Sequence, residues 1–314
     1  MAVSGLCPSD VRIYRKGSAS VKPPIILGHE FAGYVYDVGP GVVDIKENEK
    51  VNVPADAYCG KCRMCRNHYE NLCERPIAFG YQVDGAHADY ALIPKRFVDR
   101  GVVFPLLPNV DFEEASMTEP LACSLNTIET LGARPGKTVA VIGDGPMGLL
   151  HVNLAKIYGA DRIILVGLVD WKLKLGQELG ATHLLSARED VVKGTLAATE
   201  GAGADIVVVT AVMQDTIVQG LKMVSKRGYV SIFGGTPKGV AVQFEPNLIH
   251  YNETFLTGNS AYTYAHYVSA ANLIASGKIQ LKKLVTHHFR LDQIHDAIKV
   301  WDDKEKSMKI MLTR

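Results

Sequence analysis

Residues 138–167, TVAVIGDGPMGLLHVNLAKIYGADRIILVG, carry the pattern of a strand, a glycine turn, a helix and a second strand. The apolar run at residues 139–142 leads directly into Gly143, Gly145 and Gly148, spaced as G-x-G-x-x-G in the strand-to-helix setting that gives this motif its meaning. Gly143 permits a tight turn, Gly145 lets backbone approach a pyrophosphate, and Gly148 lets the helix pack closely on the sheet. The helix start then faces the phosphates with unpaired N–H groups. Gly143, Gly145, Pro146, Met147, Gly148 and Gly167 are therefore the candidate cofactor-binding residues.

Outward from this unit the pattern repeats. THLLSA (182–187), DIVVVTA (205–211) and YVSIFGG (229–235) predict buried strands, separated by amphipathic stretches such as MQDTIVQGLKMVSKRG (213–228). Strands alternating with helices predict an α/β fold with a doubly wound parallel sheet. A carboxylate for the adenosine ribose is expected about twenty residues after the glycines. The second strand instead ends at Gly167, followed by Leu168 and Val169. Its absence removes a repulsion against a 2′-phosphate, yet no arginine stands beside it in sequence, so NAD and NADP both remain open. Asp170, Lys172 and Lys174 follow closely and are expected as solvated residues of the next helix.

Four of the six cysteines fall in CGKCRMCRNHYENLC, residues 59–73. Cys59, Cys62, Cys65 and Cys73 are spaced C-x2-C-x2-C-x7-C, which lets short loops turn four thiolates toward one tetrahedral zinc. Two disulfides or an iron–sulfur cluster are the weaker readings. Four sulfur ligands leave no open position, so the expected role is structural. Lys61, Arg63 and Arg66 do not make this a nucleic-acid-binding ribbon, because no basic surface extends beyond it.

Composition sets the limits. A chain of 314 residues, 47% hydrophobic, is long enough for two domains. Thirty-four Lys and Arg against 33 Asp and Glu leave +1, which nominates neither nucleic acid nor a charged surface as partner. No apolar run reaches the roughly 18 residues of a membrane span, and MAVSGLCPSDVRIYR lacks a signal-peptide pattern, so the cytoplasm is the expected location.

Toward the N-terminus, SGLCPSD (4–10), ILGHEFAGYV (26–35) and MTEPLACSLN (117–126) supply Cys7, His29, Glu30 and Glu119. Taken singly, each has an ordinary structural explanation. Together with the four-cysteine lobe and VIGDGPMG, and in this order, they resemble the zinc-dependent medium-chain alcohol and polyol dehydrogenases over essentially the whole chain. GHE and TEP make the likeness strongest to the sorbitol (L-iditol) and L-threonine 3-dehydrogenase branch.

The resemblance implies a GroES-like β-rich catalytic domain over residues 1–124, a Rossmann nucleotide-binding domain over 125–262, and a return to the catalytic domain over 263–314. It implies a catalytic zinc held by Cys7 and His29, with Glu30 and Glu119 binding or closely approaching the metal and exchanging during turnover. A second, structural zinc belongs to the cysteine lobe. Zinc then acts as Lewis acid toward an alcohol oxygen, and the substrate carbon gives hydride to NAD or NADP. Ser9 is the matching hydroxyl that takes the substrate proton, and Asp10 the carboxylate that orients a ligand histidine. A turn or helix cap is the alternative role for this pair. The implied partner is a small alcohol or polyol, and the implied assembly is a homodimer or homotetramer joined through nucleotide-domain sheet edges.

Two departures stand out. Many relatives carry a histidine five residues after the zinc cysteine as a proton relay, where this chain has Arg12, which stays protonated. Roughly thirty residues commonly precede that cysteine, whereas Cys7 lies almost at the recorded start; strands missing there are expected to leave sheet edges and apolar positions uncovered. A non-catalytic, nucleotide-binding zinc protein is the rival from another class, and L-threonine 3-dehydrogenase the rival among enzymes. A metal-free quinone reductase would leave Cys7, His29, Glu30 and Glu119 without a shared purpose. His287, His288 and His295 lack ligand spacing and are expected to be structural or exposed.

Overall fold

The computed structural model describes residues 1–236 and 239–314. It divides into two compact units, residues 1–122 with 262–314, and residues 123–261.

The second unit is built on a six-stranded parallel sheet. Its spatial order is Phe255–Gly258, Val224–Ile232, Ala204–Val209, Thr138–Ile142, Arg162–Gly167, His183–Ser186. Counted in chain order this is the 3-2-1-4-5-6 arrangement of a dinucleotide-binding fold, with the glycine turn leaving the strand where the order reverses. The central strands are apolar on both faces because helices cover both: Ala140, Ile164 and Val207 are fully buried. The strand beginning at Val224 is longer than its sequence pattern suggested. The helix Gln214–Met223 stops at an extended Val224, which pairs with Ala204 before the register shifts, and Arg227 sits in the left-handed region at φ 59°.

His151, in the helix Pro146–Ile157, is buried edge-on against Phe233 and bonded through Nδ1 to Met147 O at 2.7 Å. Burial outweighs that bond and lowers its pKa from 6.5 to about 4. The unfolded chain thus takes up a proton near 6.5 that the folded chain resists until about 4, so stability present above 6.5 is lost as pH falls through this window. The full loss is ~3 kcal/mol. Denaturant titrations between pH 7 and pH 4 should show it, and His151→Gln should flatten the slope; an unchanged slope would remove His151 as its source.

In the first unit a six-stranded sheet runs Val285–Arg290, Lys309–Thr313, Val3–Gly5, Phe31–Tyr34, Lys50–Asn52, Phe104–Pro105. The short strand before Cys7 is an interior strand, paired antiparallel on both sides. Tyr36 and Leu92 lie exposed at 73% and 84%. The tail thus supplies the strand beside Cys7, and the pairing of Val3–Gly5 with Phe31–Tyr34 brings Cys7 alongside His29. His287 and His288, on the strand Val285–Arg290, and His295, in the helix Ile294–Asp302, belong to no metal arrangement among the described residues: His288 pairs with Glu113 and His295 contacts Tyr14.

Candidate metal centres and nucleotide site

The cysteine lobe is a short helix, Arg63–Arg66, and a 3-10 turn, Glu70–Leu72, above the two-stranded ribbon Asp56–Ala57 with Ile77–Ala78. All four cysteines are free thiols. Their sulfurs are separated by 3.5 Å (Cys62 to Cys65) and 4.0 Å (Cys59 to Cys65, Cys62 to Cys73). Four sulfurs about 2.3 Å from a tetrahedral zinc would stand ~3.8 Å apart, so the lobe fits the ion. Backbone N–H groups support the thiolate form: that of Lys61 leads in holding the Cys59 thiol at about 6, while burial pushes Cys65 up to about 12.

Cys7 begins the helix Pro8–Lys16, and Asp10 reaches back to accept from the Cys7 N–H at 3.1 Å. The same carboxylate accepts from the Gly28 N–H and lies 3.3 Å from His29 Nδ1. One carboxylate thus touches both the helix start and His29, the two positions expected as alternatives. Ser9 Oγ donates to Cys7 Sγ at 3.2 Å. Ligand atoms of Cys7, Asp10 and His29 all lie within 4.8 Å of one another, as do those of His29, Glu30 and Glu119. His29 is common to both groups, and its buried Nδ1 is turned toward the Asp10 carboxylate. A convergent set of sulfur, nitrogen and oxygen donors fits a zinc with an open position.

Two ionisable neighbours were not foreseen. Lys309 forms a buried ion pair with Glu30, the two being 4% and 2% exposed. Burial would lower the Lys309 pKa, but Glu30 and then Cys7 raise it. His87 packs its Nε2 3.4 Å from Asp10, and its Nδ1 meets Ser4 Oγ at 3.0 Å. Burial alone would raise Asp10, yet His29 and His87 hold it well below the usual carboxylate range. The only hints in sequence were a lysine opening the apolar run KIML and a histidine inside GAHADY. Arg12 is exposed on the same helix.

A cavity of about 280 Å³ opens on His29 and Glu119 and is lined also by Asp56, Phe79, Tyr81 and Gln82. Burial raises the Asp56 carboxyl to about 6 against the opposing pull of His29. Tyr262 and Tyr264 hydroxyls accept from the Ala55 and Tyr58 N–H groups at 2.7 and 2.9 Å, fixing the strand that presents Asp56.

In the nucleotide unit Gly143 has φ +122°, and a Cβ there would lie 2.4 Å from Thr210 Oγ1. A Cβ on Gly148 would stand 1.8 Å from Gly143 O, whereas one on Gly145 would meet nothing within 4 Å. The first and third glycines are thus required by packing, and the second leaves open space before the N-terminus of the helix Pro146–Ile157, as a bound pyrophosphate requires. Lys172, expected to be solvated, is 4% exposed and lies over the Trp171 ring.

The profile described as the alcohol dehydrogenase GroES-like domain matches residues 1–101, and that described as zinc-binding dehydrogenase matches residues 146–276. The L-threonine 3-dehydrogenase of Pyrococcus abyssi (strain GE5 / Orsay) is 32% identical over 305 residues, covering 95% of this chain and 85% of that enzyme. This chain belongs to the zinc-dependent medium-chain alcohol dehydrogenase family. Sorbitol dehydrogenase of Bacillus subtilis (strain 168) is likewise 32% identical, over 99% of this chain and 88% of that one. A Sinorhizobium meliloti 1021 protein described as a zinc-binding dehydrogenase, and solved bound to NADP, superposes with a TM-score of 0.90 at 31% identity, covering 100% of this chain and 90% of its own. Membership makes the chain a zinc-dependent, NAD(P)-linked oxidoreductase of alcohols, with a GroES-like and a Rossmann part. No described helix is long and apolar enough to cross a membrane.

Proposed function

We propose that the chain oxidises a secondary alcohol of a neutral polyol or sugar to the ketone, and that Asp56 beside His29 carries this reading. A carboxylate facing the cavity accepts hydrogen bonds from substrate hydroxyls and repels a substrate carboxylate. Among the described residues lining that cavity there is no lysine or arginine to offset the repulsion. The second reading, L-threonine oxidation, is favoured by the relatives of that name, but it requires an anionic substrate group to be accommodated near Asp56.

Cys7, His29, Glu30 and Glu119 hold the catalytic zinc in this reading, and Cys59, Cys62, Cys65 and Cys73 the structural one. Bound at the first site, zinc supplies Lewis acidity toward the alcohol oxygen. Ser9 relays the substrate proton at Oγ, accepting it as its own hydroxyl proton passes on toward solvent. Asp10 positions His29 and keeps its ring oriented, with His87 bracing the carboxylate from the other side. Gly143, Gly145, Pro146, Met147, Gly148 and Gly167 shape the cofactor surface. The chain functions in the cytoplasm as a homodimer or homotetramer, with Phe255–Gly258 at the nucleotide-sheet edge as the joining strand.

Turnover of sorbitol against L-threonine tests the substrate class. Sorbitol should be the better substrate, and Asp56→Ala should raise its KM by about tenfold to a hundredfold, the size of a hydrogen bond to a charged group. Preference for threonine, or a KM indifferent to Asp56, would overturn the polyol reading.

A further inference from the structure

The strand Arg162–Gly167 ends in glycine where a ribose-binding carboxylate is expected. A carboxylate nonetheless stands at that strand end, delivered from the opposite side. Asp144, between the first two glycines of the turn, directs Oδ2 to the backbone N–H groups of Leu168 at 2.7 Å and Val169 at 2.8 Å. A Cβ on Gly167 would lie 2.6 Å from both the Cβ and the Oδ2 of Asp144. The two positions therefore exclude one another: a side chain at the strand end and this placement of Asp144 cannot coexist. Gly167 and Asp144 form one device, in which the glycine makes room for an acid supplied by the turn.

We propose that Asp144 takes over the ribose-binding role and makes this chain prefer NAD to NADP. Its Oδ2 occupies the two N–H groups that would otherwise receive a 2′-phosphate, and its other oxygen remains available to a ribose hydroxyl, which can donate. A phosphate, bearing roughly −1.5 to −2 at neutral pH, can only accept and meets like charge there. Arg188 is a cation at the same strand end, and it donates to Leu168 O at 2.7 Å and braces the same segment. The proposal rests on the glycine turn holding a nicotinamide dinucleotide, and the test separates the two.

Dissociation constants for NADH and NADPH, read from nicotinamide fluorescence on the zinc-loaded chain, decide it. NADH should bind at least about tenfold more tightly, and Asp144→Ser should shrink the NADPH-to-NADH ratio by about tenfold to a hundredfold. The paired change Asp144→Gly with Gly167→Asp returns the acid to the strand end and should retain the preference. This pair also covers the case in which Asp144→Ser fails to fold. Arg188→Ala should leave the ratio in place. Equal or tighter NADPH binding by the wild type, a ratio unmoved by Asp144→Ser, or a preference lost in the paired variant overturns the proposal alone. Failure of both dinucleotides to bind overturns the cofactor reading and the proposal with it.

Discussion

Replacing His29 by alanine should abolish alcohol oxidation and lower the zinc content by one ion per chain, while the unfolding transition stays close to wild type. His29 is the shared member of both candidate ligand groups, so its loss breaks each at once. The fold is spared because Asp10 keeps its bonds from the Cys7 and Gly28 N–H groups. Cys62→Ser should do the reverse. That sulfur lies 3.5 Å from Cys65 and 4.0 Å from Cys73 inside a lobe whose buried contacts centre on the cysteines themselves. With so little other core, metal binding there is folding free energy, of order 10 kcal/mol in small zinc modules and less where a domain supports the loop. Thermal unfolding with zinc analysis on both variants checks the division. Equal loss of melting temperature in the two would contradict a structural metal distinct from a catalytic one.

What was legible in the sequence depended on whether a signal was local. The nucleotide sheet was, because strands buried on both faces read as unbroken apolar runs and the glycines sit at fixed offsets from the first of them. The cysteine lobe was, because all four ligands fall within fifteen residues, Cys59 to Cys73. The candidate catalytic donors were not local, and only the ordered set of motifs joined Cys7 to His29 and Glu119. Lys309 and His87 escaped because their significance comes from pairing across the sheet, between residues 279 apart for Lys309 and Glu30. Asp144 escaped for a different reason. It sits in a variable position of the glycine motif, and only the space left by Gly167 shows what its carboxylate replaces.

Lys309→Met should destabilise the protein by ~3–5 kcal/mol, because it retains most of the side-chain volume but leaves Glu30 as a buried, uncompensated carboxylate. Against a typical total of about 5–15 kcal/mol, that is a large share. The surroundings cannot relax to admit water cheaply: a Cβ on Gly5 would already lie within 2.4 Å of Glu30 Oε2 and 2.8 Å of Lys309 Cε. Glu30→Gln combined with Lys309→Met removes both charges and should recover most of the loss, so a double-mutant cycle isolates the pair. A cost below about 1 kcal/mol for Lys309→Met would mean that Glu30 is not held as a buried charge. Zinc content then separates two tasks for the same carboxylate. If Glu30→Gln alone keeps its full zinc, Glu30 serves to balance the lysine beneath the site; if it loses one ion, the carboxylate is shared between Lys309 and the metal. In the second case Lys309→Met should tighten zinc binding even as it weakens the metal-free fold, because the ammonium and the ion compete for one buried charge.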